Sequence, residues 1–171
     1  MEISFLTIKK EDKDFEKSVK SANEIWSKVF GNEYEEDECP GDILVIGSID
    51  EKPVCTAIIE ISTSGKKTLI SCMCVYPQKC GYGSSLIQYI IKFLKNLGVT
   101  KIYIKIDKDN KAKRLEKFYS NYGFTKIKEY KEYKECEEDV LFYYDSKFEY
   151  IMFCKLDSDL DLDITNLKID I

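Results

Sequence analysis

Two glycines at the start of a predicted helix, Gly81 and Gly83, mark the part of this chain best suited to chemistry. An apolar strand pattern precedes them and stops at Pro77, and a helical pattern that includes Leu86 and Ile90 follows them. The first backbone N–H groups of a helix have no partner within the helix, and the helix dipole adds positive charge there. Glycine lets a bulky phosphate group come close because it has no Cβ. The segment therefore predicts an anion site.

The spacing in this segment is not that of a nucleotide P-loop, which needs GxxxxGK[ST], nor of a dinucleotide site, which needs GxGxxG. It reads Gln78-x-x-Gly81-x-Gly83, which resembles the pyrophosphate loop of the GNAT superfamily of N-acetyltransferases, [Arg or Gln]-x-x-Gly-x-[Gly or Ala]. A second segment, residues 118–124 (FYSNYGF), resembles the family's Phe/Leu-Tyr-x-x-x-Gly-Phe helix ending. The resemblance covers roughly Asp42 to Leu156.

Strand and helix patterns follow one another in the order β, α, β, β, β, α, β, α, β, β, which predicts an α+β fold with a mixed sheet and helices on both faces. The GNAT fold has the same order. We expect one domain over residues 1–156 and an extension over 157–171 that is either an added strand or a frayed tail. The predicted elements are strands at 3–8, 43–48, 54–62, 68–75, 102–106, 125–133 and 148–156, and helices at about 15–30, 86–97 and 110–122.

The resemblance implies that main-chain N–H groups of the loop bind the pyrophosphate of acetyl-CoA. The residues concerned are Gln78, Lys79, Cys80, Gly81, Tyr82, Gly83 and Ser84. Lys79 is the only cation among them. The preceding strand, through the backbone of Met73, Cys74 and Val75, is expected to pair with the pantetheine arm. Its N–H groups would also polarise the thioester carbonyl.

Tyr119 matches the family's tyrosine that protonates the departing CoA thiolate. A phenol with a pKa of about 10 is a workable general acid for this step. The alternative is that Tyr119 packs in the core beside Phe118. Many members of the family carry Asn seven residues before this tyrosine, where this chain has Ala112. Asn110 is displaced by two positions, so it either contacts CoA or caps the helix.

A general base must remove a proton from the attacking amine, and histidine is excluded because the chain has none. Glu60 lies among β-branched residues of the strand before the loop strand, and it is the best-placed carboxylate. It is either the base or an exposed glutamate of the sheet face. A water chain that leads to an acidic loop is the other route for the proton. The carboxylates of that loop are Glu33, Glu35, Glu36, Asp37 and Glu38.

Charge and cysteine content exclude several classes of partner. The net charge is −5 and Arg114 is the only arginine, which argues against binding to nucleic acid or to an anionic membrane. No apolar run approaches the ~20 residues that span a bilayer. The seven cysteines show no CxxC pair, which favours reduced thiols in the cytoplasm and no metal site.

Together these features predict an acetyl-CoA-dependent N-acetyltransferase, an acyltransferase in which a primary amine attacks the thioester directly in a ternary complex. The acceptor is expected to be a small amine or a peptide amine. A homodimer can form if the extension at 157–171 pairs across two chains. Two alternatives remain: a transferase of another acyl group with the same fold, and a catalytically silent domain that binds CoA or a protein.

Overall fold

The computed structural model describes residues 2–31, 33, 41–127 and 149–156. Within them the predicted α+β architecture is confirmed as a mixed sheet with three helices. The elements are β1 (Ser4–Lys9), α1 (Phe15–Phe30), β2 (Ile43–Ile49), β3 (Lys52–Ile61), β4 (Lys67–Val75), α2 (Tyr82–Asn96), β5 (Lys101–Asp107), α3 (Ala112–Ser120), β6 (Thr125–Lys126) and β7 (Glu149–Lys155).

The strands are hydrogen bonded in the order β1-β2-β3-β4-β5-β7-β6. Strands β4 and β5 are parallel, whereas β1 with β2, β2 with β3, β5 with β7 and β6 with β7 are antiparallel. Most of the predicted strand at 125–133 and the whole extension at 157–171 lie outside the described residues. No helix in the described ranges is both long enough and apolar enough to cross a membrane.

The described residues group into two compact units. The first contains β1, α1, β2, nearly all of β3, the end of β4 from Ser71, and α2 as far as Lys92. The second contains the start of β4 as far as Ile70, the end of α2, β5, α3, β6 and β7.

Helix α1 forms because its apolar residues recur at helical spacing and leave a stripe that the sheet can bury. Asp14 occupies the N-cap position, but its side chain makes no capping hydrogen bond. Gly31 ends the helix in the left-handed region, at φ 75°, and its N–H donates to the carbonyl of Ser27. The stripe packs on β2, β3 and β4 in one core: Phe15, Val19, Ala22, Ile25, Trp26, Leu44, Ile46, Ile58 and Cys74.

Helices α1 and α2 cover opposite faces of the sheet in the first unit. On β1, Ile8 packs against the α1 core. Phe5 and Thr7 instead meet Tyr89 of α2: the two rings stack with centroids 4.3 Å apart, and the two hydroxyl groups are 2.8 Å apart. Because alternate residues of a strand point to opposite faces, the two helices lie on the two sides of β1. This confirms the expected helices on both faces.

The second unit has its own core of Leu69, Tyr103, Ile127 and Ile151, with Phe153 packed against it. Strand β7 runs antiparallel to β5 from Lys101 opposite Lys155 to Asp107 opposite Glu149. Helix α3 is shorter than predicted, since it begins at Ala112 and ends at Ser120.

Candidate functional site

The loop between β4 and α2 begins directly after the last hydrogen bond of the strand. The N–H of Tyr76 donates to the carbonyl of Val54 at 2.9 Å, and α2 starts at Tyr82. The first turn of the helix is closed on Gly81, whose carbonyl accepts from Ser84 at 3.0 Å and from Ser85 at 3.2 Å. The loop is therefore a short connection that is fixed at both of its ends.

Two residues of the loop adopt left-handed backbone conformations. Lys79 has φ 66° and Gly81 has φ 82°. The thiol of Cys80, between them, donates to the carbonyl of Gln78 at a sulfur–oxygen distance of 3.6 Å. A Cβ added at Gly81 would meet no protein atom within 4 Å. The outer side of Gly81 is thus open space rather than packed protein.

The loop presents a row of unused backbone donors. Within the described part of the chain, no backbone N–H from Gln78 to Gly83 has a hydrogen-bond acceptor. The residues Gln78 to Gly81 are also exposed. Unpaired N–H groups at a helix N-terminus, with the helix dipole behind them, suit an anion with several oxygens. Lys79 adds a full positive charge, so the loop fits a pyrophosphate group.

The last residues of β4 lie beyond the described register with the parallel strand β5. The register with β5 runs from Lys67 opposite Lys101 to Ile70 opposite Ile104 and ends there. Cys74 is buried, and Met73 and Val75 are partly buried. An extended ligand can pair with such a strand through main-chain hydrogen bonds.

The thiol of Cys74 is not suited to nucleophilic chemistry. A hydrogen bond with the thiol of Cys72, together with burial, raises the pKa of the Cys74 thiol. Burial likewise raises the pKa of the Cys55 thiol, to about 12. A thiol attacks as the thiolate, so these two side chains are inert at neutral pH. Cys74 can therefore serve a ligand only through its backbone.

Alternate residues at the end of β4 face helix α1. Cys72 and Cys74 both pack in the α1 core, and Tyr76 is the next alternate residue along the chain. The ammonium group of Lys28, in the last turn of α1, lies over the Tyr76 ring at 5.4 Å from the centroid. The only sign of this pair in the sequence is the alternation that brings an aromatic side chain to the end of the strand.

Glu60 lies near the end of β3 in the first unit and is partly buried. Ile58 packs in the α1 core, and Glu60 lies two positions further along the same strand. Alternate residues of a strand share a face, so Glu60 is on the same face as Ile58. The loop, the end of β4 and Glu60 thus belong to one unit. Of the predicted acidic loop, only Glu33, which is exposed, falls among the described residues.

Tyr119 and Asn110 belong to the second unit. Tyr119, the residue before the last of α3, is buried with 4% of its surface exposed. Its ring lies edge-on to that of Phe118 at 5.0 Å and contacts that of Phe124 at 5.7 Å. Its carbonyl accepts hydrogen bonds from the N–H groups of Tyr122 and Phe124, at 2.9 and 3.3 Å. The predicted acid is therefore held in fixed surroundings.

Asn110 does not cap helix α3. The N-cap position is Lys111, whose N–H donates to a carboxylate oxygen of Asp109 at 2.7 Å. Asp109 therefore organises the start of the helix, and Asn110 is exposed. The helix predicted from Asn110 begins two residues later because Asp109 forms the turn.

Tyr150 is a residue that the sequence patterns did not single out. It lies on β7, is 5% exposed, and its hydroxyl donates to Glu116 of α3 at 3.0 Å. The same hydroxyl is 3.3 Å from the carbonyl oxygen of Ala112, and the ammonium of Lys126 lies 4.0 Å from the centroid of its ring. Tyr150 thereby fixes the helix that carries Tyr119.

The sequence model of the acetyltransferase (GNAT) family matches residues 8–124 of the chain. No curated protein sequence shows a significant match. The chain is similar to the solved structure of the ribosomal-protein-S18-alanine N-acetyltransferase from Escherichia coli, with a TM-score of 0.66 and 15% identity over 98% of this chain and 100% of that one.

Two further solved structures show the same likeness. Escherichia coli ElaA has a TM-score of 0.64 and 15% identity over 90% of this chain and 100% of its own. Arabidopsis thaliana Naa50, in complex with the bisubstrate analogue CoA-Ac-MVNAL, has a TM-score of 0.60 and 16% identity over 91% and 100%. At these identities the likeness shows a common fold and no more.

Proposed function

Because the chain belongs to the GNAT family of acetyltransferases, we propose that it transfers an acetyl group from acetyl-CoA to a primary amine. The observation that carries this proposal is the row of backbone N–H groups from Gln78 to Gly83 that have no acceptor in the described residues. These donors stand at the N-terminus of α2 beside the charge of Lys79, and a pyrophosphate is the part of acetyl-CoA that uses them.

The loop positions one end of acetyl-CoA and strand β4 positions the other. The pyrophosphate binds to the N–H groups of the loop, and the pantetheine arm runs along the backbone of Met73, Cys74 and Val75. The β4–β5 register runs to Ile70 and Ile104 and ends before Met73 to Val75, which supports this placement, since an extended ligand can pair with a strand through main-chain hydrogen bonds. N–H groups of β4 also stabilise the negative charge that develops on the thioester oxygen.

The amine nitrogen attacks the thioester carbon directly and forms a tetrahedral intermediate. As the carbon–sulfur bond breaks, CoA leaves as a thiolate, and Tyr119 donates a proton to that sulfur. The proton lost by the amine passes to Glu60 or to a water chain. The raised pKa of the Cys74 thiol is consistent with direct transfer, because this thiol, which lies in the segment that we propose binds the pantetheine, is not available to form an acyl-enzyme.

The acceptor that we propose is a cationic primary amine, either a small amine or the amine of a peptide. Support comes from the acidic balance of the chain, −5, and from the carboxylates at 33 and 35–38. Two of the similar structures are a ribosomal-protein-S18-alanine N-acetyltransferase and a complex with the bisubstrate analogue CoA-Ac-MVNAL, so peptide N-termini belong in the test set. We place the reaction in the cytoplasm, supported by five free thiols among the described residues.

The test has two arms, acetyl-CoA binding and acetyl transfer. Calorimetry measures the affinity of the full chain for acetyl-CoA and for CoA. Mass spectrometry then measures acetylation of polyamines, aminoglycosides, amino acids and peptides with free N-termini. Binding with transfer to a class of amine is the expected result, whereas binding without transfer to any class favours the silent CoA-binding module. Faster transfer from a longer acyl-CoA favours the alternative that the chain transfers an acyl group other than acetyl. Absence of acetyl-CoA binding overturns the proposal.

A further inference from the structure

Strand β1 forms an edge of the sheet. It comes first in the strand order, and its neighbour among the described strands is β2. The N–H of Lys10 donates to the carbonyl of Asp42 at 2.9 Å, which continues the β1–β2 register by one pair. Backbone groups of an antiparallel strand point alternately toward its partner and away from it. Those of Phe5, Thr7 and Lys9 therefore point away from β2.

One end of this edge is closed and the rest is open. The N–H of Lys9 donates to a carboxylate oxygen of Asp12 at 2.9 Å, and its carbonyl accepts from the N–H of Asp12 at 3.0 Å. In the part of the chain that the structure describes, the outward N–H and C=O groups of Phe5 and Thr7 have no such partner. Unpaired backbone groups of an edge strand are a template for a further strand. The open template is thus the segment from Phe5 to Thr7.

We propose that β1 is an interaction surface for a second copy of this chain, which adds its own β1 in the antiparallel direction. The register is centred on Leu6, so Phe5 lies opposite the partner's Thr7, and Thr7 lies opposite the partner's Phe5. Each of these two pairs exchanges two N–H···O bonds, because both of its residues point their backbone groups outward. Asp12 ends the pairing beyond Thr7 in each copy.

The side chains of β1 favour its own copy in this register. Leu6 is 50% exposed, although it lies in the middle of the strand. In the dimer it faces the partner's Leu6 at a pair without backbone hydrogen bonds, where the Cα atoms are about 4.5 Å apart and side chains are closest. The pairing therefore covers an apolar side chain that each single chain leaves half exposed.

The charges at the two ends of β1 are complementary in the antiparallel direction. Glu2 precedes the strand and Lys10 follows it, and both side chains are exposed. The register centred on Leu6 places each Glu2 opposite the partner's Lys10. A parallel copy in register would instead place like charges opposite each other, which is unfavourable. Charge thus selects the same orientation as the backbone groups do.

This surface is separate from the loop that we propose binds acetyl-CoA. Strands β2 and β3 lie between β1 and β4 in the sheet. The inference therefore goes beyond the proposed function and does not depend on it. The affinity for acetyl-CoA, measured by calorimetry, should be the same in a variant that no longer pairs through β1.

Sedimentation velocity of the full chain over a range of protein concentrations measures the association, and a monomer–dimer equilibrium is expected. Leu6→Lys brings two ammonium groups together at the centre of the interface and should raise the dissociation constant of the dimer by at least about tenfold. Leu97→Lys is the matched control, because Leu97 is also 50% exposed and lies outside β1. This control should keep the dissociation constant of the wild type.

Leu6→Cys tests the register by crosslinking. Disulfide-bonded residues have Cα atoms about 4.4–6.8 Å apart, which the two central residues satisfy. Ser4→Cys is the control on the same strand, because Ser4 lies opposite the partner's Ile8 and about 13 Å along the strand from the partner's Ser4. Under mild oxidation, Leu6→Cys should form a reducible dimer faster than Ser4→Cys and than the wild type, in which Cys80 is exposed.

Three results would overturn the inference. The first is a monomer at every concentration, and the second is equal crosslinking of Leu6→Cys and Ser4→Cys. The third is a dimer that survives Leu6→Lys and is lost when residues 157–171 are deleted, because the contact would then belong to the extension.

Discussion

The hydroxyl group of Tyr150 donates a hydrogen bond to a carboxylate oxygen of Glu116 at 3.0 Å, and so joins strand β7 to helix α3. Ala112, one turn earlier on α3, has its carbonyl oxygen 3.3 Å from the same hydroxyl. Tyr119 lies about one turn after Glu116, so one side chain of the strand holds the helix over the two turns that precede the proposed acid. The ammonium of Lys126 covers the ring that makes these contacts.

Replacing Tyr150 by phenylalanine should lower the free energy of unfolding by about 1 kcal/mol, since it removes one hydrogen bond and keeps the ring. Urea denaturation measures the change. Tyr122→Phe is the matched control, because within the described residues the Tyr122 hydroxyl makes no hydrogen bond, whereas its ring contacts Phe118. Equal losses in the two variants would mean that the bond to Glu116 contributes nothing to stability.

The stability that Tyr150 contributes should disappear at high pH. Burial and the hydrogen bond and charge of Glu116 raise the pKa of Tyr150 from 10.0 to about 12. The folded state therefore keeps its proton where the unfolded chain loses it, and stability is present below pH ~10 and falls as the pH rises toward ~12. Unfolding of the wild type and of Tyr150→Phe across this range should show their difference vanish. A constant difference would contradict the shifted pKa.

The parts of the structure that follow local rules could be predicted from the sequence. The apolar stripe of α1 and the strand–loop–helix connection that carries the proposed anion site depend on periodicity and on glycine. The contacts of Tyr150 with Glu116 and of Lys28 with Tyr76 could not be predicted. They join side chains that are distant in sequence, and their geometry depends on how the helices pack on the sheet. Helix α3 begins two residues later than its sequence pattern predicts, because the side chain of Asp109 accepts a hydrogen bond from the N–H of Lys111.

The turn between β2 and β3 places two residues other than glycine in the left-handed backbone region. Asp50 and Glu51 connect the strands, and both have positive φ, at 48° and 63°. Two-residue hairpin turns of this kind favour Asn-Gly or Asp-Gly. Glu51→Gly should therefore raise the free energy of unfolding by about 0.5–1 kcal/mol. Thermal denaturation tests this. Glu51→Ala is the control, because it removes the charge and keeps the strained backbone. If Glu51→Ala raises the stability as much as Glu51→Gly does, the gain comes from loss of the charge and not from relief of strain.

The conformation of Gly81 should matter for acetyl-CoA more than for the fold. Gly81→Ala places a methyl group in open space and puts a Cβ on a residue with φ 82°. Gly65→Ala is a matched control, because Gly65 has φ 67°, also has no protein atom within 4 Å of an added Cβ, and lies in a different turn. Both variants should lose about 1–2 kcal/mol of stability, and only Gly81→Ala should lose affinity in calorimetry with acetyl-CoA. Equal affinities of the two variants for acetyl-CoA would mean that the pyrophosphate does not bind to this loop.

Tyr119→Phe tests the proposed general acid while the ring packing against Phe118 and Phe124 is kept. The fold and the affinity for acetyl-CoA should survive, and the turnover number should fall. General acids contribute about 100- to 10,000-fold, and the loss should lie near the lower end because a thiolate is a good leaving group. A general acid must be protonated to act, so the turnover number of the wild type should decline at high pH. The pH profile of the variant should lack this decline. Tyr122→Phe, a tyrosine three residues further along, should keep both rate and pH profile. Full turnover in Tyr119→Phe would assign Tyr119 to the core, and the proton would then come from water or from another of the twelve tyrosines.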